Sequence, residues 1–390
     1  MQFLSSIRHP SLNAVRTAWE RYVSTGVEPG TDVRRYVTRA WVRSRMAGCD
    51  ARMAKADVLT PREVDSLLRE QDWLLTAGQP FLSALSQAAG ADRHAAMLAD
   101  ANGRLLELHG DPETIADQDF PRPGSLLDES RAGANGVGTA LAEDGYVELV
   151  GPEHFIEGFH AFTCQGVPLH GPAGQTVGVL SMSVRRLQTA DRVRNILFCA
   201  SEAVECELLA RWLSDNVSDP QEPLLEHLRQ DMIQRIAMAR LQLEVAAQSI
   251  AAGTDASTMV ESALELSRKF ARHAAVWRTL ALSKDRPHQE RIELADLISD
   301  LLELLETEAR VAAIELRPAQ VDRVPVLEDP GAMAWRVLDC LLSAIQCSPP
   351  GAQLEVSVVR SGQLGQVVVR GGPHDGIAPP VFMATAPMIH

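Results

Sequence analysis

The chain has 390 residues, a formal net charge of −14, and 46% hydrophobic against 23% charged residues. That length holds two or three domains with cores of their own, and the composition is that of a folded chain, not a disordered one. The acidic balance speaks against nonspecific nucleic-acid binding, which depends on basic surface, and leaves protein partners and small ligands open.

In chain order, residues 1–70 read as a helical N-terminal region, with good helix formers across Pro61–Glu70. A mixed α+β domain follows at 71–189, where residues 91–185 alternate short β-rich runs with Gly/Pro-rich turns. Within it, Leu98–Leu106 reads as a hairpin around Asp100-Ala101-Asn102-Gly103. Residues 190–222 are a connector: a helix from about Ala190 to Ser214, then a linker broken by Pro220 and Pro223. Next, Leu225, Leu228, Met232, Ile236, Ala239, Leu243, Ala246 and Ile250 make one apolar seam. After the turn Gly253-Thr254-Asp255, a second helix from Ser257 to Leu282 completes a hairpin over 223–285. A hairpin alone leaves both seams open, so a homodimeric four-helix bundle is expected. Residues 286–390 are mixed: a helix, Glu328-Asp329-Pro330, another helix, then strands at Leu354–Arg360 and Gly365–Arg370.

Cys49, Cys164, Cys199, Cys206, Cys340 and Cys347 show no C-x-x-C spacing and read as reduced thiols, with no metal site expected. No signal peptide opens the sequence, and no apolar run approaches the ~20 residues of a membrane span. A cytoplasmic location without membrane or direct nucleic-acid contact is expected.

The densest motif begins at Glu129 and runs through Gly133-Ala134-Asn135-Gly136-Val137-Gly138-Thr139-Ala140, Glu153-His154-Phe155 and Phe162-Thr163-Cys164. It is not a phosphate loop, because Thr139 stands where that loop needs lysine. Nor is it a dinucleotide fingerprint, since Leu141 occupies the third small position. In order and length it resembles the GAF-type sensor of bacterial enhancer-binding activators, the group that includes regulators of acetoin and glycerol use. The resemblance covers residues 35–190 and includes the helical opening at Trp41-Val42-Arg43-Ser44-Arg45. Ala134 departs from the family's usual threonine.

The last third resembles a sensor histidine kinase over residues 223–380. Ser348-Pro349-Pro350-Gly351 matches the loop after that family's asparagine-bearing helix. Where the family holds magnesium and phosphate with two carboxamides and a lysine, this chain has Asp339, Ser343 and Gln346. The adenine-reading motif falls on Gly372–Ile377, where Gly372 replaces the aspartate and Gly376-Ile377 remain. The chain ends 14 residues after Gly376 (390 − 376), short of the usual ATP lid. The phosphoacceptor histidine aligns with Gln230, which has no imidazole nitrogen to attack a phosphate. These losses imply a pseudokinase without a catalytic residue, or, as the alternative, a divergent active kinase using His227 or His273.

The two resemblances together imply an α+β protein. It has a GAF-like antiparallel-sheet sensor with a helical N-terminus, a dimerising hairpin, and a truncated histidine-kinase ATPase-like α/β sandwich. Candidate ligand-binding residues are Asn135, Thr139, Glu153, His154, Phe155, Phe162 and Cys164. Asn135 and Thr139 read first as turn residues, and Glu153 also as a helix cap or an arginine's partner. Cys164 reads as an effector- or oxidant-sensing thiol, or as a small hydrophobe. A metal site of His154, His160, Cys164 and His170 fits no ligand spacing. Substitution of Glu153 or His154 by alanine is expected to weaken the response without unfolding the chain. The expected function is a sensor of an unknown small-molecule effector, with no cofactor, signalling to a response regulator, a kinase or an enhancer-binding activator. A passive dimeric scaffold is the remaining alternative.

Overall fold

The computed structural model describes residues 11–89, 93–185, 191–216, 276, 279, 289–371 and 381–388. The chain divides into two units, Met1–Arg268 and Lys269–His390.

In the first unit, helices α1 (Leu12–Thr25), α2 (Arg35–Met46), α3 (Pro61–Glu70) and α4 (Asp72–Ala89) precede the strands. Ser11 caps α1 by accepting from the Ala14 N–H, and Gly26, with φ of 74°, ends it in the left-handed region that favours glycine. Thr60 and Glu63 close a capping box at the start of α3.

Five strands then form one antiparallel sheet in the order β2-β1-β5-β4-β3. They are β1 (His94–Asp100), β2 (Leu105–Gly110), β3 (Val147–Val150), β4 (Thr163–His170) and β5 (Thr176–Val184). The short helices α5 (Pro112–Ala116) and α6 (Gly138–Glu143) interrupt them, and α7 (Asp191–Asn216) follows. The antiparallel sheet expected for this region is present, and the hairpin around Gly103 joins β1 to β2.

All seven residues of β1 are buried because both faces of the sheet are covered. Helices α4 and α7 pack against the sheet and each other. Met97, Val179 and Cys164, on the opposite face, share a core with Trp19, Tyr22 and Trp41 of α1 and α2. The N-terminal helices thus complete the first unit's core.

The second unit holds β6 (Glu290–Glu293), α8 (Leu294–Leu304), α9 (Glu306–Val311), β7 (Glu315–Val321), β8 (Pro325–Glu328), α10 (Pro330–Cys347), β9 (Gln353–Ser361), β10 (Leu364–Gly371) and β11 (Val381–Pro387). Four of these strands pair in the order β11-β10-β9-β7, with β7 parallel to β9 and the rest antiparallel; β6 and β8 form a separate ribbon. Asp329 caps α10 through the Ala332 N–H, with Pro330 at the first helical position, and α10 lies on β10 and β11. Strands β6, β7, β8 and β11 have no counterpart in the sequence reading, which gives only β9 and β10. The hairpin seam of 223–285, with Gln230, and the positions Gly372 and Gly376 lie outside the described residues. Among the described residues no helix is long and apolar enough to cross a membrane.

Candidate effector site

The glycine-rich motif builds a loop that crosses the inner face of β4. A Cβ added at Gly166 would lie 1.8 Å from the Gly136 carbonyl oxygen, and one at Gly136 would lie 2.9 Å from the Cys164 Cβ. Close backbone approach explains these glycines.

Asn135, buried, is spent on the same loop. Its Nδ2 donates to the carbonyls of Leu127 and Gly133, both at 2.7 Å, and its Oδ1 accepts from the N–H groups of Val137 (2.9 Å) and Gly138 (3.0 Å). Thr139 Oγ1 accepts from the Asn135 N–H at 3.2 Å and donates to Glu129 Oε1 at 2.8 Å. Glu129 in turn binds Arg43 through two nitrogens, and Arg43 and Arg39 of α2 both reach Glu143.

The second motif is also a socket for the N-terminal helices. Glu153 Oε1 accepts from Arg34 Nε at 2.8 Å, while Oε2 takes a second Arg34 nitrogen and the Val150 N–H. Arg34 and Glu153 side chains are only 10% and 3% exposed, so this is a desolvated ion pair. Arg34 also contacts Glu148, whose carbonyl accepts from Tyr36 and whose carboxylate accepts from Gln165 at 3.0 Å. Trp41 Nε1 donates to the Glu153 carbonyl at 2.7 Å and Trp19 Nε1 to the Phe155 carbonyl at 2.9 Å. Phe155 packs on Gly133.

His154 is fully buried, with Nδ1 on the Gly151 carbonyl at 2.9 Å and no hydrogen-bond partner at Nε2. Burial pushes its pKa down to about 3, and that of His160, packed edge-on to Trp19, down to about 4. Glu153 is thus a buried ion-pair partner, and its replacement by alanine is expected to destabilise the fold.

Phe162, Cys164 and Asn135 meet at a cavity of about 20 Å³, completed by Met97, Phe120, Pro121, Leu127, Gly136, Val137, Phe159, Ser181 and Ser183. That is roughly the room of one water molecule. Its polar atoms are neutral: Ser181 Oγ donates to the Gln165 carbonyl at 2.7 Å, and Cys164 Sγ lies 3.0 Å from Ser183 Oγ. Burial pushes the Cys164 thiol up to about 12, so it is a poor nucleophile and a better wall than a reagent.

Three of the seven candidate residues therefore line one cavity; Thr139, Glu153, His154 and Phe155 are not part of its lining. The serines went unnoticed, although Ser181 and Ser183 sit two apart in the apolar run Val177–Val184, a period that puts both on one face. Arg34 and Arg43 were missed too; the signal was an arginine-rich N-terminal helix in an acidic chain.

His160 and His170 stand apart from the cavity lining, and no metal-holding group of three or more His, Cys, Asp or Glu occurs among the described residues. His170, at the end of β4, sits between Glu205 of α7 (2.9 Å) and Asp144 (3.0 Å), and its bonds to them raise its pKa to about 9. In the second unit, Asp339 is exposed and Ser343 half-buried on α10.

Residues 11–206 match the family described as MimR, N-terminal domain. The acetoin dehydrogenase operon transcriptional activator AcoR of Bacillus subtilis is 28% identical over 197 residues, 50% of this chain and 32% of that protein. The propane 2-monooxygenase operon transcriptional activator MimR of Mycolicibacterium smegmatis is 25% identical over 183 residues, 44% of this chain and 29% of that one. The chain spans about a third of the length of these curated relatives. The solved E. coli DhaR(N)–DhaL complex aligns with 52% of this chain and 68% of its own at 18% identity and a TM-score of 0.45. Residues 11–206 are a domain shared with transcriptional activators, and with half of its length matched the chain belongs to the MimR N-terminal domain family.

Proposed function

We propose that the chain is a cytoplasmic regulatory sensor whose first unit binds a small effector in the Cys164 cavity and passes the response through α7. The observation that carries this reading is the cavity itself: a neutral, mostly apolar space with two hydroxyls and a thiol, walled by the motif loop. Such a lining suits a small, mainly apolar molecule with one polar end. The operons named for the two relatives, for acetoin dehydrogenase and propane 2-monooxygenase, concern molecules of that size. At about 20 Å³ the cavity has to widen to admit any of them, so the effector selects a looser arrangement of the surrounding loops.

The output half acts, in this reading, as a histidine-kinase-like scaffold without phosphoryl transfer. Residues 223–285 dimerise, and the partner is a response regulator, a kinase or an enhancer-binding activator. Support comes from Asp339 and Ser343 standing one helical turn apart where two carboxamides are needed, and from Gln230 in the phosphoacceptor position.

A thermal-shift series on the full chain with acetoin, 2-butanone and 2-propanol tests the sensor. A saturable rise in Tm with at least one of them is the expected result. No shift across the series removes the effector reading. Magnesium-ATP in the same assay is expected to leave Tm unchanged; a saturable rise overturns the scaffold reading.

A further inference from the structure

We propose that Phe120, Pro121 and Phe162 form the mouth of the Cys164 cavity, that Arg185 latches it, and that it admits only uncharged molecules. This rests on the reading of that cavity as the effector site. The mouth is made of two segments from different parts of the chain. Phe120 belongs to the loop after α5 and Phe162 to the turn before β4, and their rings meet at 5.4 Å with a 58° tilt. Both are buried, yet what lies over Phe162 is not core. The Arg185 guanidinium stands 4.9 Å from the centre of its ring. The same guanidinium binds Asp117 Oδ2 at 2.7 Å, three residues before Phe120. One side chain thus ties the Phe120 loop to the Phe162 ring from outside.

The latch is weak by construction. Arg185 and Asp117 are each about one-third exposed, so water screens their attraction, and the stacked cation is the second hold. The hydrogen bonds that Asn135 and Thr139 make within the motif loop are buried, so loosening begins at this more exposed point. Arg185 directly follows β5, and α7 starts six positions on, at Asp191 (191 − 185). Releasing Arg185 therefore frees the strand end that precedes the connector helix. Selection against charge follows from the wall: none of its residues carries a charge, and a buried ion without a partner is strongly disfavoured.

Cys164 reports on opening without any knowledge of the effector. The full chain is treated with methyl methanethiosulfonate, and labelling of Cys164, Cys199 and Cys206 is followed peptide by peptide. The last two are buried on α7 and report general loosening. Arg185→Gln and Asp117→Asn are each expected to speed Cys164 labelling about five- to tenfold, with Cys199 and Cys206 unchanged. That factor is what losing an ion pair and a cation–π contact of ordinary strength does to an opening equilibrium. Unchanged Cys164 rates in both variants overturn the latch, and so does a parallel rise at all three cysteines. Failure of the effector reading shows elsewhere, as a Tm that no alcohol or ketone moves while the latch rates still respond.

Discussion

Beneath α1 and α2, Glu129, Glu148 and Glu153 each meet an arginine, and two tryptophans donate to the backbone between them. On the neighbouring stretch of the same sheet, the Cys164 face carries neutral groups around a small void, and the nearby Arg185–Asp117 pair is about one-third exposed. In the first region the three carboxylates are spent on arginines and backbone groups. The second has few internal bonds and a hydroxyl–thiol pair that a ligand can compete for. The residues most conspicuous as a motif thus hold helices in place, and the less conspicuous serines face the empty space.

The strongest way to break this contrast is to remove one member of the buried pair. Arg34→Ala leaves Glu153 and Glu148 without their cation, and loss of one partner from a buried ion pair costs about 3–5 kcal/mol. Urea denaturation monitored by tryptophan fluorescence is expected to show that loss, with α1 and α2 detaching from the sheet. A change below about 1 kcal/mol, the level of a surface pair, would place Arg34 among exposed charges instead.

The two buried histidines sharpen the same comparison through pH. His154 and His160 have folded pKa values of about 3 and 4, below the ordinary 6.5, chiefly through burial. Below pH 6.5 the unfolded chain therefore binds protons that the folded one refuses. Their contribution is present above 6.5 and falls away as pH drops toward 4 and then 3. Between pH 7 and 5 each histidine is expected to cost about 2 kcal/mol of stability. Denaturation midpoints of the parent and His160→Gln across that range check the slope, which should be shallower in the variant. Equal slopes would mean that His160 titrates normally.

Much of this architecture was legible beforehand. The β1–β2 hairpin, the helix α7, the helix break at Glu328-Asp329-Pro330 and strands β9 and β10 follow from turn residues and apolar period. The turn roles of Asn135 and Thr139 and an arginine partner for Glu153 were legible as alternatives, but the identity of that partner was not. Nothing local in Glu153-His154-Phe155 says that Arg34, 119 residues away, neutralises the acid. Long-range pairing of that kind has no period. Glycines chosen for close approach look in sequence like glycines chosen for phosphate, because both need backbone without a Cβ. The cavity was half visible: Phe162 and Cys164 were candidates, whereas Met97, Phe120 and the two serines come from strands and loops that only the sheet order brings together.

The smallest effect concerns the joint between sheet and connector. His170 holds Glu205 of α7 and Asp144 at once, and its raised pKa reverses the sign found for the buried histidines. Here the folded state binds the proton more tightly than the unfolded one, whose histidine titrates near 6.5. The contribution is complete below 6.5 and is lost as pH rises through about 9. His170→Gln keeps a donor toward one carboxylate and gives up the charge, so about 1 kcal/mol at neutral pH is the expected loss for these partly exposed partners. The decisive readout is its pH dependence. The difference between parent and variant should shrink as pH approaches 9, and amide exchange along α7 around Glu205 should quicken in the variant at pH 7. A constant difference across that range would make His170 a packing residue, and the coupling of the sheet to α7 would then rest on the apolar contacts of the helix alone.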